Sequence, residues 1–284
     1  RDLVRSRGLG DVYKRQYHCR SEIMEINKVY NDDIMNILKA LPDNAIDMIY
    51  SDPDYNVGMK YNGKSYTKSF AEYIDWYIEL AKESLRVLKP DGNMFFINYP
   101  KQNAYLRVKF LDEHCYNVFD YVWVYNTNVG HSPKKFTTAH RSILHCTKSK
   151  ENKWYKEQVA EPYKNPTDKR IKQNIANGSC GRMPYSWLYY DLVKNVSKDK
   201  TMHSCQIPKK LVEKLILAST QPNDTILIHF GGSGGEIIQA KELGRNFISA
   251  ELDSKYVDLI NDRLNNNGQI GEQFKLKFNK QSEL

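Results

Sequence analysis

The 284-residue sequence lacks several features that would assign it to a specialised class of protein. No apolar run approaches the roughly 20 residues that a membrane-spanning helix needs, and no apolar signal-peptide core follows the N-terminus. The five cysteines form no Cys-x-x-Cys pair and show no regular spacing, which argues against a disulfide framework and a structural zinc site. We therefore expect a cytoplasmic protein with no membrane anchor and no metal site.

Acidic residues are fewer than basic ones. The chain has 34 Asp and Glu against 42 Lys and Arg, so its formal net charge is +8. A basic surface suits a polyanion such as nucleic acid, but many proteins are mildly basic for other reasons. With 40% hydrophobic and 27% charged residues, the composition is that of a globular chain rather than a disordered one.

The order of predicted elements indicates the fold class and a division of the chain. Residues 1–16 are arginine-rich and aperiodic, so residues 1–23 are treated as a leader outside the fold, either non-native or disordered. Strand-like and helical segments then alternate over residues 24–147 and again over 201–267, while 148–200 show no sustained period and 268–284 form a polar tail. This alternation predicts an α/β fold with a doubly wound, mostly parallel sheet, in which ligands bind beyond the carboxyl ends of the strands.

Two predicted strands end in unusual sequence. The first, Ile46–Tyr50, runs into Ser51-Asp52-Pro53-Asp54-Tyr55. Asp and Pro are ordinary turn residues, so a simple turn is one interpretation. The other is a site that holds a flat ring bearing an amino group, and the glycine-rich segment downstream favours it.

The second strand, Thr225–Phe230, is followed by Gly-Gly-Ser-Gly-Gly and a predicted helix. Gly232 and Gly234 allow a tight turn and a close approach to a ligand. Glu251 ends the next predicted strand about 20 residues further on, where nucleotide-binding α/β proteins place an acid on the ribose hydroxyls. The loop lacks the third glycine of a dinucleotide fingerprint and the Gly-Lys-Ser/Thr of a P-loop. An adenosine cofactor without pyrophosphate fits better, and S-adenosylmethionine is the obvious candidate.

Together these motifs resemble an amino-methylating DNA methyltransferase of the β-type motif order, over roughly residues 25–265. Asp52-Pro53-Asp54-Tyr55 stands where that family has its catalytic D/S/N-P-P-Y/F/W motif. Ile228-His229-Phe230-Gly231-Gly232-Ser233-Gly234 stands where it has a DPFxGSGT-like motif, and residues 203–208 resemble its HPTQKP segment. The resemblance implies a Rossmann-like fold, with Asp52, Pro53 and Tyr55 as catalytic residues. It also implies a cofactor site made by Asp33, Gln206, Phe230, Gly232, Ser233, Gly234 and Glu251.

The sequence departs from the family pattern at several of these positions. Asp54 replaces the second proline of the catalytic motif, Ile228-His229 replaces an Asp-Pro, and Arg141 stands where the family often has an acid. These departures leave a catalytically degenerate DNA-binding protein as one alternative. Methylation of cytosine N4 is another, although the Asp that opens the motif favours adenine N6.

The resemblance also suggests a mechanism. An exocyclic amino group is a poor nucleophile because its lone pair is delocalised into the ring. We expect the Asp52 carboxylate and the Pro53 carbonyl to accept its two N–H hydrogens, while Tyr55 stacks on the base. Because an amino group inside a duplex is inaccessible, the base has to be flipped out.

Residues 148–200 fall where the family places target recognition. They contain twelve Lys and Arg against six Asp and Glu, together with seven Trp and Tyr. That composition suits contacts with phosphates and bases, but a solvated surface insertion would look the same. The expected partner is double-stranded DNA, with a restriction endonuclease or a second copy of the chain as further candidates.

Overall fold

The computed structural model describes residues 24–58, 60–61, 64–126, 133–192 and 207–271. The predicted leader 1–23, the tail from 272 onward and Gln206 lie outside these residues. The strands are β1 (Lys28–Tyr30), β2 (Ile46–Ser51), β3 (Lys60–Tyr61), β4 (Lys64–Ser65), β5 (Leu88–Asn98), β6 (Asn117–Val124), β7 (His140–Thr147), β8 (Trp187–Tyr189), β9 (Thr225–Ile228) and β10 (Asn246–Ala250). The helices are α1 (Ile34–Ala40), α2 (Phe70–Val87), α3 (Pro100–Leu106), α4 (Asp112–His114), α5 (Lys156–Val159), α6 (Lys169–Ala176), α7 (Lys209–Ser219), α8 (Gly235–Glu242) and α9 (Ser254–Asn265).

Eight strands form one sheet in the order β1-β10-β9-β2-β5-β7-β6-β8. The pairs β1-β10, β10-β9, β9-β2, β2-β5 and β6-β8 are parallel, and only the two pairs that involve β7 are antiparallel. The predicted α/β class with a mostly parallel, Rossmann-like sheet is confirmed. The first strands in the chain lie inside the sheet beside the last ones, so the two predicted halves share a single sheet.

Helices cover both faces of this sheet. Successive residues of β5 point to opposite sides: Met94 and Phe96 pack with α1 and α2, while Phe95 and Ile97 pack with α7 and α8. The central strands carry short hydrophobic runs, such as Met94–Ile97 of β5, because both of their faces are buried, as is usual for parallel sheets. The same arrangement leaves the carboxyl ends of β1, β2, β9 and β10 as the open edge between the layers.

The long helix α2 begins as its sequence predicts. The Ser69 hydroxyl accepts a hydrogen bond from the Glu72 amide at 3.3 Å, and the Glu72 carboxylate accepts one from the Ser69 amide at 3.0 Å. This reciprocal cap satisfies two amides that the helix leaves unpaired. It also fixes the point at which the chain re-enters the fold after the Asp52–Tyr55 loop.

Residues 148–192 are more closely joined to the sheet than their aperiodic sequence suggests. Strand β8 pairs in parallel with β6, so this region supplies one edge of the main sheet. Backbone hydrogen bonds also join Lys153 to Asp91 and Tyr155 to Ala218, each at 2.8 Å. The division of the chain at residue 148 and the target-recognition role of this region stay predictions.

None of the helices in the described part of the chain has the length and apolar character needed to span a membrane.

Candidate active site

A cavity of about 240 Å³ opens at the carboxyl edge of the sheet. The segments that follow β1, β2, β9 and β10 surround it, and helix α2 closes one side. Its walls include residues 32–34, 52–55, 229–233 and 250–253, together with Tyr66, Lys68, Tyr73, Trp76, Glu236 and Tyr256. The two unusual strand ends of the sequence therefore meet at one site, because β2 and β9 are direct neighbours.

The loop after β2 is ordered around a hydrogen bond between two of its own side chains. The Tyr55 hydroxyl donates to a carboxylate oxygen of Asp52 at 2.6 Å. The Tyr55 ring is 5% exposed, and its backbone carbonyl accepts a hydrogen bond from the buried Gln102 side chain at 2.7 Å. Asp52, Pro53 and Tyr55 all line the cavity, so the structure brings the three predicted catalytic residues together.

Asp54 makes a turn within this loop. Its carboxylate accepts the Asn56 amide at 2.6 Å, an arrangement that Asp side chains readily form. Its backbone carbonyl accepts a hydrogen bond from the Tyr73 hydroxyl at 2.7 Å. The same hydroxyl accepts a hydrogen bond from the Asn98 side-chain amide at 2.8 Å. The residue that replaces the second proline thus caps the following turn, while Asp52 accepts the hydrogen bond from the Tyr55 hydroxyl.

Burial raises the pKa of Asp52 from its ordinary value of 3.8 to about 8. Withdrawal from water is the largest cause, because it disfavours the charged carboxylate, and the nearby Glu236 and Asp54 add to it. The hydrogen bond from Tyr55 and the positive charge of Arg141 act in the opposite direction. Burial likewise raises the pKa of Glu236, which begins the first turn of α8, to about 6.

The glycine loop turns sharply between β9 and α8. Gly232 has φ 50° and Gly234 has φ 79°, a left-handed region that glycine adopts without strain. A side chain on Gly234 would also come within 3.0 Å of Ile260. Glu251 closes the loop from the neighbouring strand, because its carboxylate accepts the Gly232 amide at 2.8 Å and the Asp253 amide at 2.9 Å.

The cavity is acidic although the chain is basic. Seven carboxylates line it, against a single lysine, Lys68, among the described residues: Asp32, Asp33, Asp52, Asp54, Glu236, Glu251 and Asp253. Such a cluster stabilises a bound cation, and a cation would in turn favour the ionised carboxylates. Aromatic rings from Trp76, Phe230 and Tyr256 supply flat apolar surface in the same cavity. The walls therefore suit a ligand that combines a positive charge with a planar ring.

The predicted cofactor residues divide into three groups. Phe230, Gly232, Ser233 and Glu251 line the cavity, and Gly234 shapes the loop behind it. Asp33 also lines the cavity, while its carboxylate caps α1 by accepting the Met35 amide at 2.8 Å. Gln206 falls outside the described residues.

Sequence reasoning missed several wall residues. Asp32 directly precedes Asp33, and Asp253 lies two residues after Glu251. A second acid close to a predicted one at a strand end is the signal that could have found both residues. Glu236 follows the glycine loop directly. Trp76 carries no such signal, since it is one aromatic residue among several on an amphipathic helix.

Comparison with known proteins identifies the family. Residues 46–262 match the family model described as DNA methylase, the N6/N4 methyltransferase family. The chain is 30% identical over 214 residues to the Type II methyltransferase M.BglII of Bacillus subtilis, a match that covers 69% of this chain and 58% of that protein. The chain thus spans little more than half the length of that relative.

Solved structures share the fold. The PvuII DNA methyltransferase (cytosine-N4-specific) superposes with a TM-score of 0.62 at 20% identity, over 83% of this chain and 85% of that one. The M1.HpyAVI–SAM complex superposes with a TM-score of 0.58 at 24% identity, over 84% and 98%. The matched residues 46–262 contain both unusual strand ends and most of the cavity wall between them, and the chain therefore belongs to the N6/N4 DNA methylase family.

Proposed function

We propose that the protein transfers a methyl group from S-adenosylmethionine to the N6 amino group of adenine in DNA. The observation that carries this proposal is the position of Asp52 and Tyr55. Both lie on the wall of an acidic cavity whose wall also includes the glycine loop and Glu251. Membership of the N6/N4 DNA methylase family supports an exocyclic amino group as the target. The choice of adenine rests on the aspartate that opens the catalytic motif.

Asp52 acts as a hydrogen-bond acceptor for the target amino group. An ionised carboxylate can accept an N–H hydrogen, and together with the Pro53 carbonyl it would draw the nitrogen toward tetrahedral geometry. Because the pKa of Asp52 is raised to about 8, only a minority of the carboxylates are ionised at neutral pH in the free protein. A positive charge bound in the cavity would lower that pKa and increase the ionised fraction.

Tyr55 has one role in the free site and another when the target base is bound. In the free site its hydroxyl occupies one oxygen of Asp52, which helps to keep the carboxylate ionised. The incoming amino group competes for the same carboxylate, while the Tyr55 ring offers a face on which the base can stack. Stacking of a base on an aromatic ring is worth about 1–3 kcal/mol, enough to offset the lost hydrogen bond of about 1 kcal/mol.

The walls fit S-adenosylmethionine. When bound, this cofactor supplies an electrophilic methyl group on a sulfonium centre. The seven carboxylates match its positive charge, the glycine loop permits close backbone approach, and Glu251 stands where a ribose-binding acid is expected. Phe230, Trp76 and Tyr256 would hold the flat purine ring.

Duplex DNA is the proposed substrate because the chain is basic overall while its cavity is acidic. Basic residues outside the cavity would therefore meet the phosphates, and only an uncharged base flipped out of the stack would enter it. We further propose that residues 148–200 contribute to target recognition. A restriction endonuclease or a second copy of the chain is the proposed protein partner.

The test is methyl transfer from labelled S-adenosylmethionine to unmethylated duplex DNA of mixed sequence, followed by nucleoside analysis. Two variants run in parallel: Asp52→Ala, which removes the acceptor, and Asp75→Ala, which removes an exposed acid on α2. We expect label in N6-methyladenine with the wild type and Asp75→Ala, and none with Asp52→Ala.

Label in N4-methylcytosine would overturn the choice of base while keeping the reaction type. No label in DNA, with S-adenosylmethionine binding intact in a parallel titration, would overturn the proposed function and favour the degenerate DNA-binding protein.

A further inference from the structure

Arg141, at the start of β7, lies in a cage of tyrosine rings beside the catalytic loop. Its guanidinium carbon is 3.9 Å from the centre of the Tyr99 ring and 5.3 Å from the centres of the Tyr55 and Tyr125 rings. It donates hydrogen bonds to the Tyr125 hydroxyl and, at 3.1 Å, to the His140 carbonyl. A planar cation that stacks on several aromatic rings is held far more firmly than a surface arginine.

The cage connects four separate segments. Tyr99 follows β5, Tyr125 follows β6, Arg141 belongs to β7, and Tyr55 belongs to the loop after β2. The Tyr55 and Tyr99 rings also meet edge to face, with centroids 5.2 Å apart. The sheet therefore holds the Tyr55 ring through Arg141 and Tyr99, independently of the hydrogen bond that Tyr55 makes to Asp52.

Arg141 also interacts electrostatically with Asp52. Its positive charge lowers the pKa of the Asp52 carboxyl, as does the hydrogen bond from the Tyr55 hydroxyl. Glu236 of α8 and Asp54 of the loop oppose it. The remaining groups that Asp52 influences are the hydroxyls of Tyr50 on β2 and of Tyr73 and Tyr77 on α2, whose pKa values are raised by burial and which stay neutral.

We propose that Arg141 is a positioning residue for methyl transfer: its guanidinium, stacked among the tyrosine rings, fixes the Tyr55 ring whose hydroxyl donates to Asp52. The inference rests on the proposed function of the same site. Arg141 does not line the cavity, so it acts through Asp52 and Tyr55 rather than on the cofactor.

Two substitutions separate the two parts of this role. Arg141→Gln removes both the charge and the stacking plane. Arg141→Lys keeps the charge but loses the plane that stacks on the tyrosines, because an ammonium is a compact point charge. Arg107→Gln is the matched control, since Arg107 pairs with Asp112 at the surface.

The first measurement needs no substrate. Protein labelled with 13C at the aspartate side-chain carboxyls is titrated by NMR, and Asp52→Asn identifies the Asp52 signal. We expect a midpoint for Asp52 near 8 in the wild type. The midpoint moves up by about half a pH unit or more in Arg141→Gln and stays near the wild-type value in Arg141→Lys and Arg107→Gln.

The second measurement is the pH profile of kcat/KM, which reports the pKa values of the free enzyme. In Arg141→Gln we expect kcat/KM near pH 7 to fall by about threefold for each half pH unit of midpoint shift, with partial recovery at high pH. In Arg141→Lys the profile keeps its shape, but kcat/KM falls at all pH values because the Tyr55 ring is less firmly held. The affinity for S-adenosylmethionine stays unchanged in both variants.

The proposal is overturned if Arg141→Gln leaves the Asp52 midpoint and the pH profile unchanged. It is also overturned if both variants lose cofactor affinity and activity in parallel, since that pattern indicates a purely structural role. If Arg141→Gln does not fold, the Arg141→Lys profile decides, because a wild-type kcat/KM in that variant contradicts the role of the stacking plane. A wild type that methylates no DNA refutes the proposed function, while the NMR midpoint still decides the link between Arg141 and Asp52.

Discussion

Replacement of Asp52 by asparagine tests whether the catalytic carboxylate destabilises the free protein. Folding raises the pKa of Asp52 from 3.8 to about 8, so the folded state favours the protonated acid. For such a group the stabilising contribution is fully present below pH 3.8 and is lost as the pH rises toward 8. Asparagine keeps an oxygen that can accept the Tyr55 hydroxyl but has no proton to lose.

The magnitude follows from the same pKa values. Each pH unit between the unfolded and the folded pKa is worth about 1.4 kcal/mol, so the full penalty at pH 7 is roughly 4 kcal/mol. Asp52 lines an open cavity that water can enter, so we take about half of this, roughly 2 kcal/mol. For a chain of 284 residues the entropy of unfolding is about 0.6 kcal/mol/K, so 2 kcal/mol corresponds to a rise in Tm of about 3 °C.

The assay is the thermal unfolding of the wild type, Asp52→Asn and the exposed control Asp75→Asn between pH 5 and 8. We expect the Tm advantage of Asp52→Asn to be small at pH 5 and to grow to several degrees by pH 7–8, with no such trend for Asp75→Asn. A constant difference between Asp52→Asn and the wild type across this range would refute the raised pKa and the reasoning built on it.

Three further substitutions test individual parts of the site. Asp52→Ala should reduce methyl transfer by at least 100-fold and leave S-adenosylmethionine affinity within about twofold in a calorimetric titration, because it removes only the acceptor; equal loss of both would contradict that role. Glu251→Gln should weaken cofactor binding about tenfold, because a glutamine side chain has one acceptor oxygen in place of the two that accept the backbone N–H groups of Gly232 and Asp253. The control Glu242→Gln, on the surface of α8, should leave cofactor binding unchanged. Asp54→Pro should keep most of the activity and lower the free energy of unfolding by about 1 kcal/mol, because the carbonyl that Tyr73 holds is retained and only the bond to Asn56 is lost; an inactive Asp54→Pro protein would show that the carboxylate has a further role.

Local sequence predicted the elements that rest on local interactions. The capping pair Ser69 and Glu72 marked the start of α2, and the strand–glycine–helix pattern marked β9 and α8. Where local signals were weak, the predictions differ from the structure. The periodicity of the sequence predicts a helix over Ala104–His114, whereas in the structure the helix begins already at Pro100 and passes through a π-helical turn, Arg107–Leu111. Strand β8 was not predicted, because three residues are too few to show alternation and its partner β6 lies more than 60 residues away.

The sequence by itself determined the fold class and the position of the proposed catalytic loop. Hydrophobic periodicity, caps and turn residues act over a few positions, and Asp52, Pro53, Tyr55 and the glycine loop can be found from their order along the chain. Only the tertiary structure decided which charges and rings face that loop. Arg141 and Glu236 lie roughly 90 and 180 residues from Asp52 in sequence, and the pairing of β2 with β9 and of β5 with β7 brings them to it. Desolvation and Coulomb interactions depend on distance in space and not on distance along the chain. The charges that act on the pKa of Asp52 are therefore determined by the assembled sheet.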